Sequence, residues 1–237
     1  MNTIKEAFQD YLHGLEGLDQ YRLPQRAYHI LRLAIRDLIL PPGSALLERE
    51  ISEAFDMSRT PVREALVRLE TEGLLELVPR RGFIVEPIEK EDLKEIYEIA
   101  ESLEGLAVEM ATKKVGQAEL HELETIVVKQ EEALSKHDLY RWAVLDDQFH
   151  SLLIDFSKSN RLRTVIDIHS DQLYRARLYT INHRPILYRS IDEHKAIIAC
   201  MKAKDSKAAR VVMESHRRRA QQEIIRALEE IQEKENA

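Results

Sequence analysis

Four residues in the second half of the chain are of the types that bind divalent cations, and their spacing can bring them together. Asp146 and His150 are four apart, about one helical turn, so both side chains leave the same face of a helix. Leu145, Phe149 and Leu153 flank them and turn that face toward a core. His194 and His216 each lie eleven residues from Asp205. In an antiparallel helical hairpin that turns at Asp205, equal distances put them at the same height. Three imidazoles and one carboxylate could then converge on one divalent ion, with a donor set suited to Zn, Ni, Fe or Mn. A lone buried histidine is more often a hydrogen-bonded core residue, so spacing alone leaves both readings open.

A second constellation is cationic. The stretch 47–66 reads LEREISEAFDMSRTPVREAL. Ser58 is placed to cap a helix whose first turn accepts Pro61, where a missing N–H costs nothing. Arg59, Thr60 and Arg63 then sit at that helix's N-terminus, and Arg59 and Arg63, four apart, share a face. The N-terminal end of the second helix of a helix-turn-helix enters the major groove, where an arginine can donate two hydrogen bonds to guanine. Arg49 on the preceding helix is placed to meet phosphate. Arg80 and Arg81 stand at a hairpin tip that Gly82 lets approach closely. Any one of these arginines alone reads as a solvated surface charge; five on one face of one motif read as a DNA contact surface.

The elements that must position these groups follow from periodicity. Residues 1–22 read as an amphipathic helical arm, with Ile4, Phe8, Tyr11, Leu12, Leu15 and Leu18 at helical spacing, packed on the body or on a partner chain. Residues 23–86 form one domain. A helix over Gln25–Leu40 is stopped by Pro41-Pro42-Gly43. A short helix Glu48–Phe55, a turn, a helix to about Glu72, and strands Leu74–Val78 and Phe83–Val85 complete a winged helix-turn-helix. Residues 87–92 read as a hinge. Residues 93–237 form an all-α bundle, with helices at about 90–114, 117–135, 138–157, 160–181, 186–203 and 206–232, capped by Asp138, Asn160 and Ser206.

Composition agrees. Gly and Pro number only 7 each, which disfavours sandwiches and propellers and favours long helices. Hydrophobic residues at 44% supply a core. No apolar run approaches the ~20 residues of a membrane span, and the N-terminal sequence lacks the pattern of a secretory signal. Cys200 is the only cysteine, so no disulfide framework or thiolate cluster is available. A cytoplasmic protein is expected. The net charge of −7 discourages nucleic-acid binding when taken globally. Residues 23–85 are neutral, with nine basic and nine acidic groups, so DNA contact must come from a few aimed arginines.

The motif SRTPVREALVRLETEGLL followed by RGFIV resembles the DNA-binding domain of GntR-family transcription regulators. The rest is similar to the helical FCD-type domain of the family's FadR branch. By that resemblance Arg49, Ser58, Arg59, Thr60, Arg63, Arg81 and Gly82 occupy DNA-contact positions; Arg80 does not match one. The branch's metal pattern is met by Asp146-Asp147-Gln148-Phe149-His150, Glu193-His194 and His216, with Asp147 the adjacent alternative carboxylate. This implies one divalent ion per chain held by Asp146, His150, His194 and His216. It further implies a homodimer bound to double-stranded operator DNA, expected to repress, and a small carboxylate effector at the metal. The resemblance implies that many relatives carry an arginine a few residues before a Leu-Glu pair, as an anchor for acidic effectors. Here Leu103-Glu104 is preceded by Ala100, which shifts that role to the metal or to Arg175 or Arg177. Two rivals are a metal sensor without an organic effector and a metal-dependent hydrolase or oxygenase. The latter lacks a recognisable general base, and no G-x-S-x-G, Walker A or G-x-G-x-x-G sequence occurs.

Overall fold

Pro24 in its first turn opens α1 (Leu23–Arg36), which buries Ala27, Ile30, Leu31 and Ala34 along one face. The helix ends four residues before the expected Leu40, because Leu38 takes a left-handed conformation well ahead of the Pro-Pro-Gly stop. Two further helices follow, α2 (Glu48–Phe55) and α3 (Arg59–Thr71). Asp56 in the left-handed conformation makes the sharp turn between them. A computed structural model describes residues 11, 12, 14, 15, 17–185 and 187–235.

The wing has three strands, one more than the sequence shows. β2 (Leu75–Val78) and β3 (Gly82–Val85) form the expected hairpin. β1 (Ala45–Leu46) pairs antiparallel with the other edge of β3, Ala45 opposite Ile84 and Leu46 opposite Phe83. Two residues cannot display an alternation, so β1 leaves no periodic signal. Its approach explains Gly82 in packing terms: φ is +84° there, and a Cβ would meet the Leu46 carbonyl oxygen at 2.6 Å. Gly82→Ala is therefore expected to destabilise the winged unit by about 1–3 kcal/mol through backbone strain, read as a lowered urea midpoint. An unchanged midpoint would contradict this packing role.

Part of the N-terminal arm is described. Tyr11, Leu12, Leu15 and Leu18 pack against the core of the winged unit, and the Tyr11 hydroxyl donates to Asp37 at 2.7 Å. The arm is not one continuous helix: Tyr11 and Leu12 are helical, Gly17 takes a positive φ, and Leu18–Gln20 is a 3-10 turn. Ile4 and Phe8 lie outside the described residues.

The chain divides after Ile88 into two compact units. The second opens with α4 (Lys90–Thr112), so residues 90–92 of the expected hinge are already helical. Glu91 and Asp92 in the first turn favour that earlier start through the helix dipole. There follow α5 (Gln117–Ser135), α6 (Leu139–Phe156), α7 (Asn160–Thr180), α8 (Tyr188–Lys202) and α9 (Ser206–Glu235). Asp138 caps α6 as expected, accepting from the Arg141 amide. The other two caps sit one residue earlier than expected. Ser159 rather than Asn160 accepts from Leu162, and Asp205 rather than Ser206 accepts from Ala208. A hydroxyl or carboxylate just before the helix reaches its second or third amide; a residue already inside it does not. Helix α4 packs along α9, and α6 lies among α4, α5 and α7. Trp142, Leu145, Phe149 and Leu153 fill the core on the face of α6 that also carries Asp146 and His150.

Candidate functional site

Asp146 and His150 project from α6, His194 from α8 and His216 from α9. All four are buried, with residue exposures of 0–4%. One ring nitrogen from each histidine lies within 4.8 Å of the others. The hairpin argument puts His194 and His216 at one height, and their ring centroids are 4.9 Å apart. Asp146 sits beside the triad, Oδ1 3.6 Å from His194 Nε2 and Oδ2 3.9 Å from His150 Nε2.

The outward nitrogen of each ring faces a side-chain oxygen. His194 Nδ1 lies 2.9 Å from the Gln130 amide oxygen, and His216 Nδ1 lies 2.7 Å from Glu193 Oε2. His150 Nδ1 is 2.9 Å from Glu104 Oε2, within ion-pair distance but without hydrogen-bond alignment. An oxygen acceptor at Nδ1 fixes the proton there and turns the Nε2 lone pair inward, the arrangement that orients metal-ligating histidines. His150 Nε2, His194 Nε2 and Asp146 Oδ1 are all buried and have no hydrogen-bond partner among the described residues. Leaving a buried polar atom unsatisfied costs about 1–3 kcal/mol, and three facing acceptors are satisfied together by one cation. The donor set therefore fits a divalent ion.

Electrostatics prepare the same outcome. Burial pushes all three imidazoles below their ordinary pKa, His194 to about 3, with neighbouring positive charge adding to the effect. They are neutral at pH 7 and need lose no proton to bind a metal. Burial pushes the Asp146 carboxyl up, but Arg177 and the imidazoles outweigh it and hold the group well below the usual carboxylate range.

The structure also separates Asp146 from its neighbour. The Asp146 side chain is 3% exposed, whereas that of Asp147 is 32% exposed and lies 3.9 Å from Arg177 Nη1. Arg177 Nε lies 3.1 Å from Asp146 Oδ2, so this arginine, expected to greet an effector, is already committed to a site carboxylate. Arg175 is buried on α7.

Arg217 and Gln130 escaped the sequence reading, and Glu193 entered it only as the neighbour of His194 in the metal pattern. Glu193 and Arg217 adjoin His194 and His216 in sequence, and Glu193 reaches His216 rather than its own neighbour. Arg217 donates twice to Glu104. Gln130, 64 residues from His194, leaves no local signal.

In the winged unit, Arg59, Thr60 and Arg63 are exposed on the first turns of α3 and line one open groove with Glu48. Ser58 is the N-cap residue, but its hydroxyl makes no capping hydrogen bond. The Arg63 and Arg49 side chains, 70% and 68% exposed, face Glu48 and Glu53 at 3.8 and 3.7 Å, pairs too exposed to hold them firmly. Arg81 is exposed at the hairpin tip beside Arg80, which takes a left-handed conformation. Gly82 lies inside the sheet, paired with Val78.

Comparison with known proteins gives a concordant picture. Residues 23–85 match "Bacterial regulatory proteins, gntR family", and residues 95–219 match the FCD domain. The HTH-type transcriptional regulator YdhC of Bacillus subtilis is 32% identical over 80% of this chain and 85% of its own. The HTH-type transcriptional repressor RspR of Escherichia coli is 28% identical over 81% and 84%. The structure of E. coli McbR/YncC superimposes with a TM-score of 0.77 at 25% identity, covering 87% of this chain and 99% of that one. No helix among the described residues is long and apolar enough to cross a membrane. With a winged helix-turn-helix ahead of an all-helical domain, the chain belongs to the GntR family as a transcription regulator of the FCD type, and not to the enzymes.

Proposed function

We propose that this regulator works in the cytoplasm as a homodimeric repressor whose operator affinity is set by a small carboxylate bound at a metal site. The observation that carries the reading is the set of three buried imidazoles, each with Nδ1 beside an oxygen acceptor, grouped with an unpartnered Asp146 oxygen. Asp146, His150, His194 and His216 would hold one divalent ion (Zn, Ni, Fe or Mn), which supplies a Lewis-acidic centre with positions open to a carboxylate. These ligands come from α6, α8 and α9, so occupancy fixes how three helices pack. An effector shifts the regulator between states only by its differential affinity for them. The decisive experiment titrates operator binding with metal, with and without organic acids. A response to metal alone would favour a metal sensor, and no response to either would overturn the reading.

On DNA, Arg59 and Arg63 would read guanines, with Arg49, Ser58, Thr60, Arg81 and Gly82 on the backbone or at the adjacent groove. Arg59→Ala or Arg63→Ala is expected to cost about 1–3 kcal/mol of discrimination at one base pair. Arg49→Ala should instead weaken all sequences alike and reduce the salt slope by about one. Binding measured on operator and scrambled DNA at several salt concentrations checks both. Unchanged operator affinity in both groove variants would remove the recognition-helix assignment.

One winged unit reads few base pairs, and two copies on a palindrome solve that shortage. Support for a dimer lies on the α4/α7 face. Ile99 and Val165 line one shallow depression with Leu103 and His169, and Ile168 one turn along is 63% exposed. Val165→Glu with Ile168→Glu is expected to raise the dimer dissociation constant at least about tenfold, since charge in an apolar interface is costly. Sedimentation reads it, and an unaltered dimer would place the interface elsewhere.

A further inference from the structure

We infer that the effector is a dianion, whose second anionic group is bound by Tyr97 and Arg184. The inference rests on the metal reading above and adds to it the class of acid selected.

Two chemical sets stand out among the buried polar atoms left without hydrogen-bond partners. The acceptors, His150 Nε2, His194 Nε2 and Asp146 Oδ1, call for a cation. The donors, Tyr97 Oη, Arg184 Nε and Arg177 Nη1, have no hydrogen-bond acceptor among the described residues and call for an anion. Tyr97 is 2% exposed, and the Arg184 and Arg177 side chains are 2% and 5% exposed. Bulk water therefore does not serve them. The three form one neighbourhood: the charges of Arg177, Arg217, Arg184 and Asp146 all act on the Tyr97 hydroxyl, and Arg177 acts on Arg184. Asp146, held at 3.1 Å by Arg177, joins the donor set to the triad.

Charge accounting gives the valence. Around the triad, Arg177 pairs with Asp146, Arg184 with Glu223, Arg217 with Glu104, and Arg219 with Glu193. These four pairs are neutral as they stand, and an imidazole that ligates a metal does so as the neutral ring. Binding a divalent ion leaves two positive charges in a buried site, which a dianion cancels and a monoanion does not. One anionic group near the ion answers the acceptor side. The other meets a phenol O–H and guanidinium N–H groups, donors that suit a carboxylate.

Malate and lactate make the test, because they share a hydroxy-carboxylate head and differ by one carboxylate. Metal content of the full-length protein is read first by mass spectrometry, and calorimetry then measures both acids. The expected result is malate binding at least about tenfold tighter than lactate. Tyr97→Phe and Arg184→Gln should each shrink that ratio to about threefold or less, while lactate affinity stays within about twofold. Equal affinities in the unaltered protein, no malate binding at millimolar concentration, or variants that weaken both acids equally would overturn the inference. If Arg184→Gln fails to fold, Tyr97→Phe, which keeps the ring, decides alone. Absence of stoichiometric metal would overturn the metal reading separately, and the malate-to-lactate ratio of that protein would still decide the two donors.

Discussion

If Asp146, His150, His194 and His216 hold a divalent ion as proposed, a chelator is expected to lower the melting temperature of the helical unit by about 8–16 °C. A ligand present at a thousand times its dissociation constant stabilises the state that binds it by about 4 kcal/mol, and each kcal/mol moves a domain of this size by about 2–4 °C. His194→Ala should cut metal content from about one ion per chain to below about a tenth, since it removes a ligand from the centre of a buried triad. The substitution also deletes packing against Phe149, whose ring stacks on His194 at 4.0 Å. A lower melting temperature in the variant alone is therefore ambiguous. The informative quantity is the further shift that a chelator produces: large in the unaltered protein, near zero in His194→Ala. The winged unit's transition should not move in either case. Equal chelator shifts in both proteins, or no shift in either, would remove the metal from the account.

The parts of this site legible in sequence were those expressed as spacing along one element or across one turn. Asp146 and His150 share a face because 3.6 residues make a helical turn, and His194 and His216 meet because the α8–α9 hairpin turns at Asp205. The helix-turn-helix was legible for the same reason, with Pro61 and Ser58 marking the start of α3. What escaped depended on contacts between distant elements. Gln130 on α5 and Glu104 on α4 reach the histidines only once the bundle closes. Strand β1 exists because β3 offers an edge, not because Ala45-Leu46 has a strand pattern. Arg177 shows a related limit. Its charge suggested a ligand anchor; the fold pairs its Nε with Asp146 and leaves Nη1 without a hydrogen-bond partner among the described residues, and no feature of the one-dimensional pattern distinguishes the two nitrogens.

Arg217→Met is expected to destabilise the helical unit by about 3–5 kcal/mol, the usual consequence of removing one partner from a buried ion pair. Glu104 and Arg217 are each 3% exposed and joined by two hydrogen bonds, one of 2.8 Å from Nε to Oε2. Without the guanidinium, the Glu104 carboxylate keeps only His150 Nδ1 at 2.9 Å, on a ring that burial holds neutral. Glu104→Gln in the same chain removes the stranded charge, so the double variant should recover most of the loss. The cycle should then return a coupling energy of at least about 2 kcal/mol, within the range for residues sharing one network. Additive single effects below about 1 kcal/mol would show that the pair is incidental. Metal affinity separates two roles for Glu104. If it only balances Arg217, the double variant binds metal normally. If it also sets the His150 ring, metal affinity stays about 10–100-fold weaker even where stability has returned. The second result is expected, because Glu104 Oε2 is the one atom facing both the Arg217 guanidinium and the outer nitrogen of His150.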